Sequence, residues 1–119
     1  MTQYFLDSSA LIKRYIVEPG TTWVRSIIQR SSGNTVIIAQ ITQIEIVSGA
    51  SRRVRRAEDL LTVHPLRTYD AVQLASALES NTRLVAAGLS PVIFVSADVR
   101  LLVAATTEGL MAEDPNAHP

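Results

Sequence analysis

The chain has 119 residues, and its 11 basic and 11 acidic side chains give a formal net charge of zero. This length, with 47% hydrophobic residues, predicts a single domain over residues 1–112 with a buried core, followed by a flexible tail over 113–119. The absence of cysteine excludes disulfides and thiolate metal sites, and no apolar run reaches the roughly 20 residues that span a bilayer, so we expect a cytoplasmic protein without a membrane segment.

Strands that are separated by helical stretches predict an α/β fold with a central parallel sheet. The first half of the chain predicts a strand over 3–7, a helix that is capped by Ser8 or Ser9 and runs through Ile16, a helix over 22–30 and a strand over 35–39. A long helical stretch from 42 or 43 to 63, a helix over 69–80, a strand over 92–95, a helix over 99–107 and a short edge strand over 109–111 complete the prediction.

Four carboxylates occur where these elements would bring them to one end of the sheet: Asp7, Glu45, Asp70 and Asp98. Asp7 closes the first strand and Asp98 lies just beyond the third, and ligands of open α/β sheets bind at the carboxyl ends of the strands. Crowded carboxylates repel one another unless a cation neutralises them. Mg²⁺ and Mn²⁺ prefer oxygen ligands and can bridge phosphates, so we predict a Mg²⁺ or Mn²⁺ site that hydrolyses phosphodiester bonds.

Ordinary structural roles compete with this interpretation. Asp7, Asp70 and Asp98 all occupy possible helix-capping positions, where Asp is favoured for reasons unrelated to catalysis, and Glu45 could be a surface residue. Two serines near the acids, Ser8 and Ser96, are predicted to hydrogen-bond the ligands or metal-bound water. The joint occurrence of the four acids favours the metal site over four independent structural roles.

Four segments resemble PIN-domain ribonucleases, especially the VapC-type toxins of toxin–antitoxin pairs. The segments are Phe5-Leu6-Asp7-Ser8-Ser9-Ala10-Leu11, Ile44-Glu45, Arg67 through Ala77 (RTYDAVQLASA) and Phe94 through Leu101 (FVSADVRL). The resemblance implies a three-layer α/β/α sandwich and Mg²⁺- or Mn²⁺-dependent endoribonuclease activity. It also implies that Asp7, Glu45, Asp70 and Asp98 are the catalytic metal-binding acids, and that RNA and a small VapB-like antitoxin are the partners.

Relative to that family, the chain is shortened between residues 56 and 57. The stretch from 51 to 63 contains no Gly, Pro or Asn, so one unbroken helix over 42–63 is plausible. Such a helix would place Glu45 and Val63 about 27 Å apart, whereas the chain from Val63 to Asp70 spans at most about 23 Å. Either the helix breaks near residues 56 and 57, or the C-terminal half packs on a second chain. We hypothesise a domain-swapped homodimer whose sites combine Asp7 and Glu45 of one chain with Asp70 and Asp98 of the other.

Basic residues supply candidate contacts to RNA phosphates or to an acidic partner. Four of them lie on one side of the predicted long helix: Arg52, Arg53, Arg55 and Arg56. A solvated face that pairs with Glu58 and Asp59 explains them equally well. Three others lie nearer the predicted metal site, and they are Lys13, Arg14 and Arg100.

Two other functional classes stay open. The chain could be a shortened, catalytically inactive PIN remnant that serves as a module for binding an antitoxin or for dimerisation. It could also be a phosphatase with Asp7 as nucleophile, although Ser9 stands where such an enzyme would carry a second acid two residues on. The retention of all four acids favours the ribonuclease.

Overall fold

The structure is a computed structural model that describes residues 2–39, 60, 66 and 68–118. Its strands are β1 (Gln3–Leu6), β2 (Thr35–Ile38), β3 (Val92–Val95) and β4 (Met111–Glu113). The described α-helices are α1 (Ser8–Leu11), α2 (Thr21–Ile28), α3 (Thr68–Ala86) and α4 (Val99–Thr107). Short 3₁₀ segments span Ile12–Arg14, Arg30–Ser32 and Pro115–Ala117.

The four strands form one parallel sheet in the order β2-β1-β3-β4. Strand β2 lies beside β1 on one side, and β3 lies beside β1 on the other side. The strand order therefore reverses between β1 and β3. In open α/β sheets, a crevice for ligands forms at this reversal, outside the carboxyl ends of the strands. Leu6 pairs with Val95, so the residues that follow β1 and β3 meet at that edge. The predicted α/β fold with a parallel sheet is confirmed.

Both faces of the sheet are packed with apolar side chains. Phe5 and Phe94 stack with their ring centroids 5.8 Å apart, and they share one core cluster with α3 and α4 residues such as Leu74 and Leu101. Leu6 and Val95 point to the opposite face, where they join a second cluster with residues of α1 and α2. Successive side chains of a strand alternate between faces, which is why adjacent residues of β1 serve different clusters. A parallel sheet buried on both sides gives its strand ends a fixed position.

The helix bounds agree with the prediction best where a local capping signal exists. The last helix spans Val99–Thr107, as predicted, because Asp98 caps its start and Gly109 follows its end with a φ of +94°. The first helix is shorter than predicted: α1 ends at Leu11 and continues as the 3₁₀ turn Ile12–Arg14, and its cap is Asp7 and neither of the predicted serines. The third helix extends to Ala86, well past the predicted end at residue 80.

The C-terminal residues, predicted as a flexible tail, are built into the fold through residue 118. Glu113 belongs to β4, which extends over Met111–Glu113 and not over the predicted 109–111, and Pro115 is fully buried. The His118 ring stacks on Trp23 with centroids 4.2 Å apart, and its Nε2 lies 3.0 Å from Glu113 Oε2. We call residues 114–118 the C-terminal strap. Non-local contacts, which a polar sequence does not reveal, hold it in place.

Several sequence predictions fall outside the described residues. They are the long helix over 42–63 apart from Leu60, the junction at residues 56 and 57, Glu45, and the arginines Arg52, Arg53, Arg55 and Arg56. Leu60 is helical and lies buried in the core cluster of Phe5 and Phe94. Within the described ranges, no helix is both long enough and apolar enough to cross a membrane.

Candidate active site

Asp7 lies at the carboxyl end of β1 and begins α1. Its backbone is extended (φ −77°, ψ 176°), and its N–H donates to Val95 O at 3.1 Å, which continues the pairing of β1 with β3 by one residue. Its carboxylate accepts a hydrogen bond from the Ala10 N–H at 2.9 Å, so it caps α1. The predicted capping role of Asp7 is therefore present. Only 2% of Asp7 is exposed, which is unusual for a carboxylate whose single role is to cap a surface helix.

Two serine hydroxyls hold the Asp7 carboxylate from opposite sides. Ser9 Oγ donates to Oδ1 at 2.7 Å, and Ser96 Oγ donates to Oδ2 at 2.6 Å. Ser96 is the first residue after β3 and is fully buried, so the predicted contact between this serine and the acids exists. We refer to Asp7, Ser9, Ser96 and Asp98 as the carboxylate edge.

Asp98 enters the carboxylate edge from the start of α4. Its N–H donates to Ser96 Oγ at 3.0 Å, and its Oδ1 accepts from the Arg100 N–H at 3.0 Å, so Asp98 caps α4 as Asp7 caps α1. The Asp98 side chain is partly exposed, in contrast to that of Asp7. One buried and one more accessible carboxylate therefore share the end of two paired strands.

Burial raises the pKa of the Asp7 carboxyl above its usual value of 3.8. Hydrogen bonds from Ser96, Ser9 and the Ala10 amide oppose this effect, and the negative charge of Asp98 adds to it. The two carboxylates are thus close enough for their charges to interact. Among the described residues, no lysine or arginine forms an ion pair with Asp7. The cost of ionising Asp7 would fall if a cation bound at this edge.

The other two predicted acids are Asp70 and Glu45. Asp70 is the third residue of α3 and is partly exposed, directly before the buried residue Ala71. Glu45 lies outside the described ranges. Within those ranges, no three Asp, Glu or His side chains form a group that could hold a metal. The structure therefore brings together Asp7, Ser96 and Asp98 of the predicted set.

Ser9, and not Ser8, makes the predicted contact near the first acid. Ser8 is exposed, and its hydroxyl forms no hydrogen bond with any other residue that the structure describes. The sequence does not distinguish Ser9 from Ser8, because two adjacent serines look equivalent in it. A signal was nevertheless present: Asp7-x-Ser9 is mirrored by Ser96-x-Asp98, which places one acid and one hydroxyl two residues apart at each junction.

The basic residues near the site differ in availability. Lys13 is 3% exposed, and its Nζ donates to Glu18 Oε1 at 2.9 Å, to Pro19 O at 2.8 Å and to Asn116 Oδ1 at 3.1 Å. The prediction that Lys13 contacts RNA conflicts with this geometry, because a buried ammonium with three acceptors has no free donor to offer. Arg14 and Arg100 are exposed, and the Arg14 guanidinium lies over the Tyr15 ring at 5.5 Å.

No family model, curated protein or solved structure matches the chain. The resemblance to PIN-domain ribonucleases rests on the residues quoted above and remains a prediction.

Proposed function

We propose that the protein is a metal-dependent endoribonuclease of the PIN type, similar to VapC toxins. The observation that supports this most is the buried Asp7 carboxylate, which lies beside Asp98 at the reversal of strand order with no basic partner among the described residues. A charge in such a place is costly unless a cation compensates it. The position is also the one where open α/β sheets bind ligands.

The chemistry of the donors fits Mg²⁺ or Mn²⁺. All ligands at the carboxylate edge are oxygen atoms, and the chain contains no cysteine that would favour a softer metal. Asp7 and Asp98 would hold the ion, and the family resemblance adds Glu45 and Asp70. A divalent ion at such a site makes a bound water a stronger nucleophile and stabilises charge on the departing oxygen of a phosphodiester.

The protein's own groups would prepare this site before any ligand arrives. Hydrogen bonds from Ser9, Ser96 and Ala10 fix both oxygens of Asp7, so little reorganisation is needed on binding. The exposed guanidinium groups of Arg14 and Arg100 would contact RNA phosphates. Lys13 has no part in RNA binding in this proposal, because it is buried.

The finer architecture belongs to the same proposal. The helices on both faces of the sheet are compatible with a PIN-like α/β/α sandwich, and a VapB-like antitoxin would be the inhibitory partner in the cytoplasm. The domain-swapped homodimer would form the β1–β3 pairing between two chains, so that Asp7 of one chain meets Ser96 and Asp98 of the other. Light scattering coupled to size-exclusion chromatography tests this, since a monomer at micromolar concentration contradicts the swap.

Cleavage of total cellular RNA tests the function. Purified protein is incubated with Mg²⁺, Mn²⁺ or EDTA, and Asp98→Asn protein prepared in the same way controls for contaminating ribonuclease. Discrete products that require metal and that only the wild type forms support the proposal. If folded wild type and variant are equally inactive, and equally inactive on defined tRNA and rRNA fragments, the proposal is contradicted.

The inactive binding module is the second candidate. Asp7 and Asp98 each cap a helix, and Asp7 receives three hydrogen bonds, so a structural role explains their positions without a metal. This candidate predicts a folded protein that neither binds Mn²⁺ nor cleaves RNA. Calorimetric titration with Mn²⁺ distinguishes the two candidate functions, because only the ribonuclease must bind Mn²⁺.

A further inference from the structure

Ser9 connects the two strand-to-helix junctions that carry the acids. Its Oγ donates to Asp7 Oδ1 at 2.7 Å and accepts from the Ala97 N–H at 2.9 Å. Ala97 lies between Ser96 and Asp98, in the turn from β3 to α4. One hydroxyl on α1 therefore holds the first acid and the backbone beside the second acid, although 88 positions separate Ser9 from Ala97 in sequence.

The direction of each hydrogen bond follows from the number of protons. A serine hydroxyl has one proton to donate. Ser9 and Ser96 each point theirs at Asp7, so their oxygens, 3.3 Å apart, have no proton left for each other. Each oxygen instead accepts a backbone N–H, from Ala97 in the case of Ser9 and from Asp98 in the case of Ser96. The four bonds form a closed arrangement in which neither serine has a spare donor.

The two serines differ in what they fix. Ser96 lies on the same turn as Asp98 and is fully buried, so its removal would also leave a cavity in the core beneath the site. Ser9 is only partly buried and stands on α1. The main contribution of Ser9 is therefore to hold the two strand-to-helix junctions together and not to fill space in the core.

We propose that Ser9 is a positioning residue that sets the distance between the Asp7 and Asp98 carboxylates for a divalent cation. This inference rests on the proposed function, since it assumes that the two acids share an ion. Loss of the Ser9 hydroxyl leaves Asp7 Oδ1 with the Ala10 amide as its remaining described donor and releases the Ala97 amide, so the turn that carries Asp98 can move relative to β1. Groups that orient metal ligands in this way typically change metal affinity by about 10- to 100-fold when removed.

Three variants of the full chain test the inference: Ser9→Ala, Ser9→Thr and the neighbouring surface control Ser8→Ala. The affinity for Mn²⁺ is measured by calorimetry, exchange of the Ala97 amide hydrogen by NMR, and thermal stability by circular dichroism. We expect Mn²⁺ to bind Ser9→Ala about 10- to 100-fold more weakly than wild type, with faster Ala97 exchange. Ser9→Thr restores both values because it keeps the hydroxyl, and Ser8→Ala changes neither.

The outcomes separate this inference from the proposed function. If wild type binds Mn²⁺ and cleaves RNA while Ser9→Ala binds Mn²⁺ equally well, Ser9 does not position the acids and the ribonuclease proposal stands. If wild type binds no Mn²⁺, both proposals are contradicted. If Ser9→Ala does not fold, Ser9→Cys replaces it, since a thiol has similar size but donates only weakly, and wild-type affinity in that variant overturns the inference.

Discussion

Gly20 is the position where a single added methyl group should disturb the fold most clearly. Its φ is +90°, and a Cβ atom built on it would lie 2.4 Å from Pro115 O and 2.7 Å from Pro115 C. Backbone atoms cannot move out of the way alone, so Gly20→Ala must displace the C-terminal strap. The substitution therefore tests whether the strap is docked as the structure shows.

The expected loss of stability has two parts. Placing Ala in the left-handed region costs about 1–2 kcal/mol. Displacing the strap exposes Pro115 and breaks the hydrogen bond that Lys13 donates to Asn116 and the stack of His118 on Trp23. Together these contribute roughly 2–3 kcal/mol. We expect a total loss of about 4 kcal/mol in the free energy of unfolding, or roughly 15 °C in melting temperature for a domain of this size.

Gly33→Ala is the matched control. Gly33 also has a positive φ, +74°, but a Cβ atom there would meet nothing within 4 Å. Gly33→Ala should therefore lower the free energy of unfolding only by the cost of placing Ala in the left-handed region, about 1–2 kcal/mol. Urea unfolding followed by circular dichroism gives both values, and the fluorescence of Trp23, the only tryptophan, reports the strap directly. Equal losses in the two variants would refute the docking of Pro115 against Gly20.

Three further outcomes follow from the described contacts. Lys13→Met should lower the free energy of unfolding by about 1–3 kcal/mol, because it removes three hydrogen bonds. The salt dependence of RNA binding should stay unchanged, and a reduced salt dependence would contradict the structural role of Lys13. His118→Ala should shift Trp23 emission to longer wavelength because water replaces the stacked ring, and an unchanged spectrum contradicts the stack. In EDTA, the free energy of unfolding of Asp7→Asn minus that of wild type should increase with pH. Urea titrations between pH 3 and pH 7 measure this difference, and a difference that does not change with pH would contradict the raised Asp7 pKa.

The sign of the pH effect follows from the raised pKa of Asp7. A carboxyl whose pKa is higher in the folded protein than in the unfolded chain holds its proton more tightly when folded. The stabilisation from that proton is complete when the pH is below the pKa of Asp7 in the unfolded chain. It is lost as the pH rises through the pKa in the folded protein. At neutral pH the charged Asp7 therefore destabilises the wild type, whereas Asn at this position carries no charge.

The sequence predicts the parts of the fold that depend on local signals. Strands β1 and β3 and the helix after Asp98 follow from apolar runs and a cap, although β1 ends at Leu6 and not at the predicted Asp7. These elements place Asp7 and Ser96 at one edge. The strap could not be predicted, because buried Pro115 lies against Gly20, a residue far from it in sequence. Its composition of charged and polar residues resembles that of an exposed terminus.

The site was predictable to a similar extent. The placement of Asp7, Ser96 and Asp98 at one end of a parallel sheet follows from the alternation of strands and helices. The pairing of β1 with β3, which brings these residues together, comes from the structure. The choice of Ser9 over Ser8 depends on which hydroxyl faces the neighbouring turn. That orientation is set by the register of β1 against β3, which the sequence does not specify. The burial of Lys13 likewise depends on Asn116, 103 positions away.

Anomalous diffraction from crystals grown with Mn²⁺ tests the metal site most directly. We predict a manganese peak whose nearest protein ligands include the carboxylates of Asp7 and Asp98, and which Asp98→Asn weakens or abolishes. The same map would show whether Glu45 and Asp70 join from one chain or from two. A carboxylate edge without a peak at saturating Mn²⁺, in crystals of protein that is folded as described, would contradict the metal site and the ribonuclease proposal with it.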